Sequence, residues 1–249
     1  IPLDAAIVLQ SNDLQQVWST FSETNLLWNE LLINPGFNNI DKQLKKLDSI
    51  ILETRELKEL LSNQKALISF HSTDEHVNFF SVTNCELIAF KEAVHFLNTR
   101  SNNSSVINSA NSEILNFSID SSKYYVSYYE PFFLLSSSET IISQSITQLK
   151  SKKSLLNNLT FQQLQLTASP SSNLHIYIQK NQLTKFLRNY FNVDFIKKIS
   201  NSKEFLDWIE LDLMLKPNSI MLSGISSMIL KRGPYVVSIV VVVGSIAVS

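Results

Sequence analysis

One pattern occurs twice. Ile7-Val8-Leu9-Gln10-Ser11-Asn12-Asp13-Leu14 and Ile176-Tyr177-Ile178-Gln179-Lys180-Asn181-Gln182-Leu183 share Ile, Gln, Asn and Leu in register, each an apolar run broken by polar residues. Both read as a strand entering a helix. Behind the first copy, Leu14, Val17, Trp18 and Phe21 recur at helical steps, with Ser11, Asn12 or Asp13 available as a cap. Behind the second, Leu183, Phe186, Leu187 and Tyr190 do the same, with Asn181 or Thr184 as the expected cap.

Each copy then leads into a hairpin pattern. Ala66 to Phe70 and Asn78 to Thr83 flank a polar turn, Ser72-Thr73-Asp74-Glu75. Trp208 to Leu215 and Ser219 to Ile225 flank Lys216-Pro217-Asn218; here Ile209, Leu211, Leu213 and Leu215 alternate with Glu210 and Asp212, which reads as an apolar face and a polar one. Leu44 to Leu61, with apolar residues among Lys and Glu, adds a helix to the first half. Between the halves, Lys91 to Leu97 reads as a short helix and Ser101 to Ser112 as a mobile Ser and Asn loop. Glu113 to Asp120 and Lys123 to Glu130 form an expected hairpin, Phe132 to Leu135 a strand, and Glu139 to Leu149 and Leu155 to Leu166 helices.

The expected fold is therefore α+β: two related strand-helix-hairpin units with antiparallel sheet packed against helices. Residues 1–168 make the first unit, with central inserted strands and helices; 169–230, opening on Ser169-Pro170-Ser171-Ser172, make the second, shorter one. Residues 231–249 are an apolar tail. A membrane helix needs about 20 apolar residues, and 16 follow Gly233, so the tail reads either as a Val-rich strand, with Gly244 marking a bulge or turn, or as a truncated membrane segment.

Chemical motifs are scarce. With four glycines, the chain has no phosphate-binding loop or dinucleotide turn, and no Gly-x-Ser-x-Gly elbow or His-Glu-x-x-His is present. The one metal-like grouping, His71, Asp74, Glu75 and His76, falls where a solvated hairpin turn is expected, so no metal and no cofactor is expected. His95 and His175 stand isolated and read as partly buried packing residues, and Cys85, the single cysteine, as a buried inert thiol. Asp4, Asp13, Glu210 and Asp212 leave a hydrolase conceivable without placing any two at a catalytic distance. No catalytic residue is assigned.

The candidate binding residues are aromatic. Tyr124, Tyr125, Tyr128, Tyr129, Phe132 and Phe133 crowd one strand pair, and period-two geometry sends Tyr124 and Tyr128 to one face and Tyr125 and Tyr129 to the other. Either face offers core packing or a docking surface for sugars or a partner. With 21 basic and 22 acidic residues, the chain lacks the positive field that draws domains onto nucleic acid. Charged residues make up 17%, below the roughly 25% of soluble domains, which leaves a low barrier to association.

Ile1-Pro2-Leu3-Asp4-Ala5-Ala6-Ile7-Val8-Leu9, Phe133-Leu134-Leu135-Ser136-Ser137-Ser138-Glu139 before a helix, and Leu174-His175-Ile176-Tyr177-Ile178 together resemble uncharacterised cell-envelope proteins of Bacteroidota, over about residues 1 to 225. The resemblance implies a location on the periplasmic side of the envelope. It also implies a lipid anchor or signal ahead of Ile1, a start without Met being that of a trimmed chain, and partners among envelope or membrane proteins. The leading expectation is a non-enzymatic protein-binding or scaffold module, membrane-associated through such an anchor or the tail. The alternatives are a binding protein holding a lipid, peptide or glycan in a cleft between the units, and the unrecognised hydrolase.

Overall fold

The computed structural model describes residues 1–24, 32–33, 38, 41–42, 45, 49, 65–72, 77–119, 122–188, 194, 196–197, 207–216, 219–230 and 233–247. Of the helix expected over Leu44 to Leu61, Lys45 and Ser49 are described, both helical; its other residues, Tyr190 and the turn residues Asp74, Glu75 and His76 lie outside them.

Strand β1 (Ile7–Ser11) leads into α1 (Leu14–Ser19), where Asp13 Oδ1 accepts from the Gln16 amide at 2.9 Å as the expected cap. A π-helical turn over Thr20–Thr24 follows. Strands β2 (Ala66–Ser72) and β3 (Val77–Asn84) come next, then α2 (Leu87–Arg100). After them come β4 (Asn103–Ser109), β5 (Ser112–Ile119), β6 (Ser122–Tyr129), β7 (Phe132–Ser136) and α3 (Glu139–Lys150). A 3-10 turn (Leu155–Asn157) precedes α4 (Leu159–Gln165), then β8 (Leu174–Gln179) and α5 (Lys180–Leu187). The last strands are β9 (Trp208–Lys216), β10 (Ser219–Leu230) and β11 (Gly233–Ala247). Helix α5 begins directly at Lys180 with no side-chain cap, so neither Asn181 nor Thr184 plays the expected role.

Among the described residues, eleven strands form one sheet in the order β11-β10-β9-β8-β1-β2-β3-β7-β6-β5-β4. Every pairing is antiparallel. The Ser169 to Ser172 break falls in the turn between α4 and β8, yet the sheet runs unbroken across it. The protein is thus α+β, with a large antiparallel sheet and helices on both faces.

The helices cover the faces by period-two logic. On β5 to β7, Phe117, Tyr124, Val126 and Phe133 project to one side and meet Ala93 and Leu97 of α2. Ile114 and Leu134 project to the other and meet Ile141, Ile142 and Ile146 of α3. Toward the middle, Phe161 and Leu164 of α4 pack with Val8, Tyr177 and Trp208. Burying each such large apolar side chain contributes roughly 1.5–3 kcal/mol.

The tail is a strand: β11 pairs with β10 along its length. Between the pairs Ile220↔Ile246 and Leu222↔Val243 the β11 strand carries an extra residue, so Gly244 lies at a bulge. No helix among the described residues is long and apolar enough to cross a membrane. The Ser101 to Ser112 tract is not a loop. It holds β4, an edge strand ordered by its ladder to β5 rather than by apolar burial, with Ser101 Oγ accepting from the amides of Asn103 and Ser118.

Candidate functional site

The six aromatic candidates form two groups by strand alternation. Tyr124, Tyr128 and Phe133 lie on the α2 side, where Phe90 packs 5.2 Å from Tyr128 and 6.0 Å from Phe133, and Tyr124 stacks on Phe117 at 5.6 Å. Tyr125, Tyr129 and Phe132 lie on the α3 side, against the cluster of Phe80, Leu134 and Ile142. Tyr124 and Phe133 are buried and the other four half-buried, so most of this aromatic area is given to packing.

The chemistry lies elsewhere, on β8 and β9. The pairs His175↔Asp212, Tyr177↔Glu210 and Gln179↔Trp208 put all six side chains on the sheet face that α4 covers. Glu210 and Asp212, expected on a polar face opposite the apolar one, are 1% and 6% exposed. Alternation marked two faces correctly but could not say that both are covered.

Local hydrogen bonds hold the acids there. Asp212 accepts the Ser169 amide on Oδ1 at 3.2 Å and on Oδ2 at 2.9 Å, and its Oδ1 lies 2.7 Å from His175 Nδ1. Glu210 Oε1 stands 4.0 Å from the same nitrogen and has no hydrogen-bond partner. Burial first, then the Asp212 charge and a hydrogen bond with Asp212, push the Glu210 carboxyl up to about 8. Tyr177, fully buried and with its hydroxyl unpartnered, has its pKa raised by the same burial and by both acids. The ligand-capable atoms of His175, Glu210 and Asp212 lie within 4.8 Å of one another.

A second histidine pair sits on β2. His71 is 2% exposed and belongs to the strand, not to a solvated turn; its Nδ1 lies 3.0 Å from Asp4 Oδ1 and its Nε2 2.8 Å from Ser69 Oγ. The hydrogen bond from His71 is the main cause holding Asp4 below the usual carboxylate range. Both imidazole nitrogens are partnered, which suits a structural post. His95 is exposed on α2 rather than partly buried. Cys85 is buried, and burial pushes its thiol up to about 11, as fits an inert one.

An open groove of about 800 Å³ lies between α3 and the β4–β5 turn, bordered by Leu3, Asp4, Ala110, Glu139 and Gln148. None of the aromatic candidates lines it, and neither do His175, Glu210 or Asp212. Sequence reading missed the β8–β9 cluster because only the pairing register brings His175 opposite Asp212. The one local signal was the Glu210-x-Asp212 spacing on a strand.

No protein-family profile matches the chain, and no curated protein matches it. Among solved structures, the chain is similar to crystal form I of TP0453 at 15% identity and a TM-score of 0.43, covering 91% of this chain and 78% of that one. It is similar to crystal form IV at 16% identity and 0.45, covering 99% and 93%.

Proposed function

We propose that the chain is a non-enzymatic protein-binding or scaffold module of the cell envelope, and that its partner docks on β11. One observation carries this reading. Among the described residues β11 pairs only with β10, and its 15 residues include six valines and no charge. A long, uncharged strand with an outward row of free N–H and C=O groups pairs with another strand unless something covers it. Adding a strand to such an edge is a common mode of recognition, with backbone bonds giving affinity.

The arrangement of the sheet suits a duplicated scaffold. From the antiparallel pair β1/β8 at its middle, β1-β2-β3 and β8-β9-β10 run outward in opposite directions. The helix after β8 packs on β2, and the helical segment after β1 reaches β9, as two related units about a twofold axis would place them. Because β1 and β8 are hydrogen-bonded neighbours, no cleft separates the repeats there, which weighs against the ligand-cleft alternative. Glu210 and Asp212 lie too deep for a substrate, which weighs against the hydrolase.

The location follows from the resemblance to envelope proteins, with a strand of an envelope or membrane protein as the expected occupant of β11. The test is capture from gently solubilised envelopes with the full chain as bait. One envelope protein in stoichiometric amount, lost when Val241→Lys or Val242→Lys places a charge on the strand, is the expected result. A chain that comes down alone, or capture indifferent to both substitutions, overturns the reading.

A further inference from the structure

The geometry points to a binding site for one divalent transition-metal ion of the zinc type, held by His175 Nδ1, Glu210 Oε1 and Asp212 Oδ1 between β8 and β9. Three independent strand positions converge there. His175 comes from β8, and Glu210 and Asp212 stand two residues apart on β9, so their carboxylates emerge on one face, beside the imidazole. Among the described residues, these three alone form such a group.

The strongest sign is what the cluster leaves undone. Glu210 is 1% exposed, and its Oε1 is an acceptor without a donor, facing the His175 nitrogen at 4.0 Å. Tyr177, the register partner of Glu210, adds a second buried oxygen with no partner. Buried polar atoms are nearly always satisfied, so orphaned ones around a histidine and two carboxylates mark a place for something that accepts their lone pairs. A cation does so.

The distances fit an ion of that size. Zinc takes nitrogen and oxygen donors at about 2.0–2.2 Å, which puts neighbouring donors on a tetrahedron roughly 3.4 Å apart. The separations here run from 2.7 Å between His175 and Asp212 up to the 4.8 Å bound on the group, so shifts of about an ångström close the site. Binding exchanges the His175–Asp212 hydrogen bond for two bonds to the metal, with the imidazole proton carried on Nε2, and releases the Glu210 carboxyl proton to solvent as Oε1 becomes the third ligand.

The donor set also chooses the metal. Imidazole with carboxylates suits zinc and its neighbours, whereas magnesium and calcium take oxygen donors alone. The two hydrogen bonds from the Ser169 amide orient the Asp212 carboxylate, as supporting contacts do at metal sites. The His175 side chain, 13% exposed, leaves the ion a way in. An ion at this point would rivet β8 to β9, the strands that connect the middle of the sheet to β10 and β11.

The experiment titrates zinc into metal-stripped full-length chain by calorimetry and follows the melting temperature with and without zinc. Expected is one zinc per chain and a zinc-dependent rise in melting temperature. His175→Asn and Glu210→Gln should each weaken binding more than about 100-fold, beyond the roughly 10–100-fold cost of losing a supporting group. His95→Ala should change nothing. Glu210→Gln keeps volume and a donor, and should fold. X-ray absorption of the zinc-loaded wild-type chain gives an independent answer: one imidazole in a shell of nitrogen and oxygen donors is expected. No zinc bound, binding unchanged in both variants, or two or more imidazoles on the metal would overturn the site.

Discussion

The two wings of the sheet end in opposite ways. The wing through β7, β6 and β5 is clad on both faces by α2 and α3, packed with aromatic rings, and finishes on β4, a seven-residue strand of sequence NSSVINS. The wing through β8, β9 and β10 carries a half-buried histidine beside two buried acids and finishes on β11, 15 residues long and uncharged. A short polar edge discourages pairing with other chains, and a long apolar one invites it. Under the proposed function, one wing is finished as a surface and the other as a joint, with stability assigned to the first and partner binding to the second.

Substitutions sort the two roles, the largest effect first. Tyr124→Ala removes a buried ring stacked on Phe117 and should cost about 3–5 kcal/mol in denaturant unfolding. Partner capture per folded molecule should be unchanged, and a loss of capture beyond the unfolded fraction would break the division. Gly224→Ala acts on the other wing. A Cβ there would stand 2.1 Å from the Glu210 carbonyl oxygen and 2.9 Å from Leu211 Cα, backbone atoms that cannot move without parting β9 from β10. The cost should reach or exceed the roughly 1–3 kcal/mol of overpacking, and capture should fall with it. Val241→Lys or Val242→Lys should lower capture per folded molecule at least tenfold, about 1.4 kcal/mol.

The pH profile separates the wings again. Glu210 is held near pKa 8 in the fold against an ordinary 4.5, so between those values the folded state keeps a proton the unfolded state gives up. Stability from this group is full below about pH 4.5 and lost as pH rises through about 8. With a chelator present, melting temperature should therefore fall over that range, by roughly 2–4 °C per kcal/mol at this chain length. Glu210→Gln should flatten the slope; an equal slope in the variant would place its source elsewhere. Smallest of all, Val106→Lys on the β4 edge, where the side chain is 57% exposed, should stay within about 0.5 kcal/mol and leave capture intact.

The sequence made the first wing more legible than the second. Phe132 to Leu135 and Glu139 to Leu149 came out nearly whole as β7 and α3, because local alternation and helical spacing set them. β4 was missed because its order comes from hydrogen bonds to β5, and Ser and Asn carry no apolar signal for that. His175 and Asp212 are 37 residues apart, and Asp4 and His71 are 67 apart; sheet pairing alone brings each pair together. A carboxylate on alternate strand positions reads as solvent-facing whenever the cover arrives from a distant segment, as α4 does over Glu210.

The most direct test of the joint is site-specific photo-crosslinking in intact cells, with the reactive residue placed at Val241 on β11 and, separately, at Val106 on β4. Expected is one discrete product at Val241, containing a single envelope protein, and none at Val106. Products at both positions alike, or at neither, would contradict a partner docked on β11.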